Sequence, residues 1–278
     1  MKFYFSAILL LVSFLGNAQR LHADLYAGLA NYEGDIKSKP GPSVGLGLSY
    51  DLTSKLIVRG AATFARLQGN DKNSDAGKGL QLRNLNFKTN ILEGQLLLEY
   101  NLFDLEDRSI TPYVFGGGAV YYFNPFTNDA AGNKVFLQQL TTEGQGLPQY
   151  PDRKPYKLVQ FAIPFGGGFK MALSDKIQFG LELGLRKLFT DYIDDVSTFY
   201  ADSSILSAAR GPKAVELAYR GDEIPGGPTY PLVGSERGNP KVDDWFYTGG
   251  IRIRYLLGSG NGNGGGRKNK TGCPTNIY

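Results

Sequence analysis

The chain has 278 residues, a formal net charge of +4 and a mean hydropathy of −0.24. A charge this small and scattered argues against a nucleic-acid partner, and the single cysteine, Cys273, excludes an internal disulfide framework. Abundant glycine (37), tyrosine (17) and phenylalanine (17) favour strands and interfacial aromatic belts over helices.

Lys2, the apolar run Phe3 to Leu15 and the small residues Gly16-Asn17-Ala18 predict a cleaved signal peptide over 1–18. A transmembrane anchor needs about 20 apolar residues, more than this run offers. Beyond it, no segment is long and apolar enough for a spanning helix.

Period-two alternation then recurs eight times over 19–258. The first segment, 21–32, places Leu21, Leu25, Ala27 and Leu29 on one face. The second sets Val44, Leu46, Leu48, Tyr50 and Leu52 against Gly45, Gly47, Ser49 and Asp51. The third sets Leu56, Val58, Ala62 and Phe64 against Arg59, Ala61 and Thr63, and the fourth sets Leu92, Leu96, Leu98, Tyr100 and Leu102 against Glu93, Gln95 and Glu99. In the fifth, Tyr113, Phe115, Ala119, Tyr121 and Phe123 form the apolar face and Gly116 and Gly118 the other. The sixth, 157–173, opposes Val159, Phe161, Ile163, Phe165, Phe169 and Met171 to small and polar groups including Lys170. The seventh opposes Ile177, Phe179, Leu181, Leu183 and Leu185 to Gln178, Gly180, Glu182 and Arg186. The eighth opposes Trp245, Tyr247, Ile251, Ile253, Tyr255 and Leu257 to Thr248, Gly250, Arg252 and Arg254.

One face suits lipid and the other is too polar for a dry core, which is the signature of an outer-membrane strand. The links after segments two, four and six are short, and those after one, three, five and seven are long. That alternation matches barrels with short periplasmic turns, long external loops and both termini in the periplasm. A soluble lipocalin-like barrel, with its apolar faces turned inward around a ligand, is the lesser alternative. The expected architecture is all-β: an eight-stranded antiparallel up-and-down transmembrane β-barrel of the cell outer membrane, in contact with its lipids, with long external loops.

Eight strands leave an interior filled by side chains. Arg59, Glu93, Glu99, Lys170, Glu182, Arg186, Arg252 and Arg254 fall on the inner faces with mixed sign. Charges enclosed by a barrel wall are costly unless paired, so they predict a salt-bridged plug rather than the selectivity ring of a wider pore. The glycine triplets 116–118 and 166–168 allow bending or room for a large residue opposite; neither has the Lys-Ser/Thr and helix start of a phosphate-binding loop.

Chemistry-bearing constellations are scarce. The only histidine, His22, lies at the periplasmic start of the first strand and reads as an interfacial residue, so no histidine-based catalytic or metal site is available at the outer rim. Asp191, Asp194, Asp195 and Asp202 could offer oxygen ligands to calcium, but solvation or hydrogen bonding within the loop is the better expectation. The sequence therefore predicts no enzyme, no cofactor, no resident metal and no small-molecule substrate. After the last strand, 259–278 is a glycine-rich tether ending in Arg267, Lys268, Lys270, Cys273 and Pro274, placed by this topology in the periplasm. A lone cysteine in an exported chain is either an idle thiol or one that pairs with another chain.

Four strings carry a family resemblance: Asn31-Tyr32-Glu33-Gly34-Asp35, the run Arg186 to Thr198 containing Thr190-Asp191-Tyr192-Ile193-Asp194-Asp195-Val196-Ser197-Thr198, Arg237-Gly238-Asn239-Pro240 with Asp244-Trp245, and Cys273-Pro274. Together they resemble the PorG-like outer-membrane proteins of the type IX secretion system. The resemblance implies a non-enzymatic accessory barrel that ties the periplasmic ring of PorK and PorN to the outer membrane. On it, Cys273 would contact the ring lipoprotein, and Arg267, Lys268 and Lys270 would steer an acidic partner surface. The alternative is a surface-exposed binding or adhesion barrel acting through its long loops. A lipid-modifying barrel enzyme is a third, weaker reading, for want of a histidine-based site.

Overall fold

The computed structural model describes residues 20–74, 78–105 and 108–258. The predicted signal peptide and the tail with Cys273, Arg267, Lys268 and Lys270 lie outside the described residues.

Eight long strands form the wall: β1 (Leu21–Glu33), β2 (Gly41–Asp51), β3 (Leu56–Asn70), β4 (Asn86–Asn101), β5 (Ile110–Tyr122), β6 (Val159–Ala172), β7 (Ile177–Leu188) and β8 (Trp245–Leu256). Each pairs antiparallel with its neighbours in sequence. β8 returns to β1 with His22 opposite Leu256 and Glu33 opposite Trp245. Closure leaves the eight wall strands without an unpaired edge, which matters most where no water is present to satisfy one. Short turns (52–55, 102–109, 173–176) join strands at one end; at the other end run the long links 34–40, 71–85, 123–158 and 189–244.

The outer wall is apolar and open. Leu25, Leu46, Leu96, Phe161, Phe169 and Leu181 are each more than half exposed. Side chains of that size on every side of a closed sheet belong in lipid rather than water. This is the transmembrane barrel that the alternation predicts.

One strand is turned the other way. In β5, Tyr113, Phe115, Ala119 and Tyr121 are buried, as is Phe123 just beyond it, while Ile110, Val114, Val120 and Tyr122 are exposed. The expected outward face points into the lumen. The reason lies across the barrel wall: a Cβ placed on Gly166 would stand 2.8 Å from the Phe115 ring, and one on Gly168 would stand 3.0 Å from the Tyr113 ring. Glycines on the inner faces of β6 and β7 leave room for aromatic rings that an ordinary strand would exclude. β5 reads as apolar on both faces, so period two finds the strand but not its orientation.

The long links fold into a cap. Its short helices are α1 (Lys78–Arg83), α2 (Ser203–Arg210) and α3 (Pro212–Ala218). Asp202 starts α2 by accepting the Ser204 and Ile205 amides, the usual way an aspartate satisfies free amides of a first turn. Gly211, at φ +85°, ends α2. One apolar core joins cap to barrel: Tyr32, Phe87, Tyr121 and Phe246 from the strands meet Ile36, Leu85, Phe123, Tyr156, Ile193 and Val196 from the links. A second cluster, built on Leu206, Ala214 and Ala218, sits within the cap itself.

Candidate functional site

Two polar systems stand out, one in the lumen and one beneath the cap. In the lumen, Glu99 of β4 is fully buried and accepts from Lys170 of β6 and from Arg252 of β8 at 2.5 Å. Arg252 also donates to Asp24 of β1 at 2.9 and 2.7 Å. Arg59 of β3 forms a bidentate pair with Glu182 of β7 at 2.5 and 3.2 Å and lies 3.5 Å from Glu99. Tyr113 of β5 donates to Glu182 at 2.9 Å. One connected network thus draws on seven of the eight wall strands and crosses the lumen.

Toward the cap, Arg186 lies 3.4 Å from Glu93 and donates to Thr248 at 2.6 Å, and Thr63 donates to Glu93 at 3.0 Å. Toward the short-turn end, Arg254 pairs with Asp51 and donates to Ser49 at 2.8 Å. His22 is buried at this floor, 3.7 Å from Asp51, facing inward rather than lying at a lipid interface. All eight residues expected in the interior are thus in one of these three layers. Asp51, Thr63 and Thr248, read on the polar faces of their strands, join them there; those missed are Asp24 and Tyr113. Asp24 could have been read from parity, since it alternates with the lipid-facing Leu25, Ala27 and Leu29. Tyr113 could not, because its strand is reversed.

The lumen charges balance: Arg59, Lys170, Arg186, Arg252 and Arg254 stand against Asp24, Asp51, Glu93, Glu99 and Glu182. Between the layers lies a cavity of about 30 Å³, lined by Asp24, Arg59, Glu182, Arg186 and Arg252 among others. That is room for water and nothing larger.

Beneath the cap, three of the four strings that carry the family resemblance meet although they span more than two hundred residues. The Tyr32 hydroxyl donates to Asp194 at 2.5 Å and lies 3.1 Å from Asp244. Asp194 accepts the Val196 amide at 2.9 Å and Asp244 the Ile193 amide at 2.8 Å. Asp35 accepts the Asn239 amide at 3.0 Å.

Arg237 is the hub of this lock. It donates to Glu143 at 2.9 Å, to the Asp195 carbonyl at 2.5 Å and to the Ala218 carbonyl at 3.1 Å. Glu143, fully buried, also accepts the Ser197 amide (2.9 Å), the Thr198 amide (3.1 Å) and hydroxyl (2.6 Å), and the Tyr192 hydroxyl (3.2 Å). Arg83 forms a bidentate pair with buried Asp71 at 2.7 and 2.8 Å and donates to the carbonyls of Asp35 and Arg237. Nothing in the sequence singles out Glu143, which is an isolated acid in a long link.

Burial pushes the Asp194 carboxyl up to about 8, with nearby Asp35 adding to it. Burial, then Asp194, holds Asp244 well above the ordinary carboxylate range, because two buried carboxylates facing one hydroxyl cannot both ionise cheaply. Burial raises Asp195 to about 6 against the opposing charge of Arg237.

The acidic residues read above as solvated, hydrogen-bonded within the loop or calcium-binding are divided by the fold. Asp194 and Asp195 are buried and held by hydrogen bonds inside the cap, and Asp202 is a helix cap. Among the described residues no three acidic, histidine or cysteine side chains converge as a metal site.

Residues 1–205 match a family described as a domain of unknown function, DUF6089. The chain belongs to the DUF6089 family. No curated protein matches it in sequence. Among solved structures it is similar to Neisserial surface protein A, with 8% identity, 85% of this chain and 96% of that chain covered, and a TM-score of 0.42. It is also similar to OprG of Pseudomonas aeruginosa (14% identity, 85% and 97% covered, TM-score 0.40). A third is Ail, the attachment invasion locus protein of Yersinia pestis, in complex with the heparin analogue sucrose octasulfate (8%, 85% and 97%, TM-score 0.39).

Proposed function

We propose that this DUF6089 protein is a sealed, non-catalytic outer-membrane barrel that works through its ends, and that its role is to tie the PorK and PorN ring of the type IX secretion machine to the membrane. The observation that supports the first part is the charge-balanced network across the lumen: it leaves no path for a hydrated solute, so conduction is not the task. The resemblance strings support the second. Residues from three of them meet in one buried lock, so they act as a shared structural signature of the folded barrel.

On this reading the capped end faces outward, the termini lie in the periplasm, and the tail 259–278 reaches the ring, with Cys273 as the contact and Arg267, Lys268 and Lys270 drawing an acidic surface toward it. Co-purification from gently solubilised outer membranes, with and without reductant, tests it. The ring lipoprotein should accompany the intact chain and be lost on deleting 259–278, and Cys273→Ser should abolish any reductant-sensitive link. Unchanged co-purification after the deletion would sink the tether.

A second reading, surface binding through the cap, draws on a specific observation: the cap has its own apolar cluster and still exposes Leu232 and Val233, at 83% and 58%. It requires that trimming the cap abolishes function while deleting the tail does not.

A further inference from the structure

The lipid-facing rows of the β3–β4 wall end abruptly. Along this pair the outward positions run Val58 opposite Leu98, Gly60 opposite Leu96, Ala62 opposite Gly94 and Phe64 opposite Leu92. The next rows toward the cap are Arg66 opposite Asn90 and Gln68 opposite Lys88. Lys39, from the two-residue strand Ser38–Lys39, pairs with Gln68 from the other side. Residues opposite one another in a ladder share a face, so Lys39, Gln68 and Lys88 form one outward row with Arg66 just below it. Successive rows are about 7 Å apart along the strand, which puts these groups within one or two rows of the last hydrocarbon contacts, at headgroup depth.

The charge in this patch is not neutralised by the protein. Lys39 and Lys88 are exposed and have no ion-pair partner among the described residues, and Arg66 donates only to the amide oxygen of Asn90, at 3.0 Å. On the β7–β8 wall at comparable height, Lys187 is bound to Asp243 at 2.8 Å and lies over the Trp245 ring. The outward acid Glu33 stands opposite Trp245, on the β8 side of β1. An extracellular rim would ordinarily disperse its cations among acids; here Lys39, Arg66 and Lys88 share one wall above Phe64 and Leu92.

We propose that Lys39, Arg66 and Lys88 form a binding surface for the phosphate-bearing headgroup of an outer-leaflet glycolipid, whose acyl chains lie on the Phe64, Leu92 and Leu96 surface below. Ammonium and guanidinium groups supply charge-assisted hydrogen bonds to phosphate oxygens, and Gln68 and Asn90 add neutral donors in the same rows. The inference rests on the reading that the capped end faces outward, since only then does this rim meet the outer leaflet.

The test uses the full-length barrel purified in detergent and incubated with diphosphorylated lipid A, with its dephosphorylated form, or with inorganic phosphate. Retained lipid is counted by native mass spectrometry. The wild type should retain the diphosphorylated lipid in preference to the dephosphorylated one, and inorganic phosphate should not compete at equal concentration. The double variant Lys39→Gln, Lys88→Gln should retain about thirtyfold less, as follows from two membrane-surface cations contributing about 1 kcal/mol each. Arg66→Gln should lower retention in the same direction, and Lys134→Gln, a cap cation seated over Phe126 and Phe136, should not. Equal retention by the double variant, or equal retention of both lipids by the wild type, would overturn the surface. Protease accessibility of 189–244 on whole cells tests the orientation separately, because binding in detergent does not depend on it.

Discussion

Replacing Glu143 by alanine probes the cap lock directly. Its carboxylate accepts five hydrogen bonds, from Arg237, Tyr192, the Thr198 hydroxyl and two backbone amides. Removing it leaves the Arg237 guanidinium, itself buried, facing Asp195 from 3.8 Å as its remaining acidic neighbour. Breaking a buried pair by deleting one partner costs about 3–5 kcal/mol. That cost falls on the cap, because every group involved belongs to the links 123–158 and 189–244. At about 1.4 kcal/mol per factor of ten, amide hydrogen exchange in 192–198 should quicken by about a hundredfold or more. The wall strands should keep their protection, and the heat-modifiable migration of the folded barrel on gels should be unchanged. Glu143→Gln, which keeps one acceptor and the volume, should fall between the two. Exchange in 192–198 altered by less than threefold in Glu143→Ala, or equal loosening of β4 and β7, would refute the claim that this lock holds the cap and only the cap.

Other outcomes follow from the same geometry. Asp194 and Asp244 have folded-state carboxyl values above their unfolded ones, so the folded cap binds more protons than the unfolded chain and its stability falls as pH rises from about 4 to about 8. Exchange in 190–198 should quicken over that window, and Asp194→Asn should flatten the dependence; a cap that tightens with pH would contradict it. In the lumen, Glu99→Gln weakens the pairs with Lys170 and Arg252 and should lower the urea midpoint of the refolded barrel by the equivalent of about 3 kcal/mol, while the paired change Glu99→Leu, Lys170→Met should cost less than the single one. Equal losses would show that the pair is not coupled. In a Cys273→Ser background, Val114→Cys in detergent should react with maleimide and Phe115→Cys should not; the reverse would restore the orientation expected from the sequence.

The family match covers residues 1–205, which hold seven of the eight wall strands. The connection to type IX secretion remains a proposal that the pull-down decides.

The wall was legible in the chain because a lipid-exposed strand has one strong constraint, alternation, and every residue reports on it. The spacing of Leu92, Leu96 and Leu98 against Glu93 and Glu99 fixed both the strand and the side its charges occupy. The long and short links fixed which end carries the cap.

What alternation could not decide is anything set by a neighbour across space. β5 turned its aromatic face inward because glycines on β6 and β7 made room for Tyr113 and Phe115. Asp194 and Asp195 are buried because Tyr32 donates to the one and Thr142, Tyr156 and Arg237 gather at the other, while Asp202 bonds within its own loop as a helix cap. The sequence determined that a closed, charge-filled barrel would form, since closure and pairing follow from local pattern and the cost of unpaired groups in lipid. Only the tertiary structure decided which charge meets which, which way an ambiguous strand faces, and that four separate links fold into one cap.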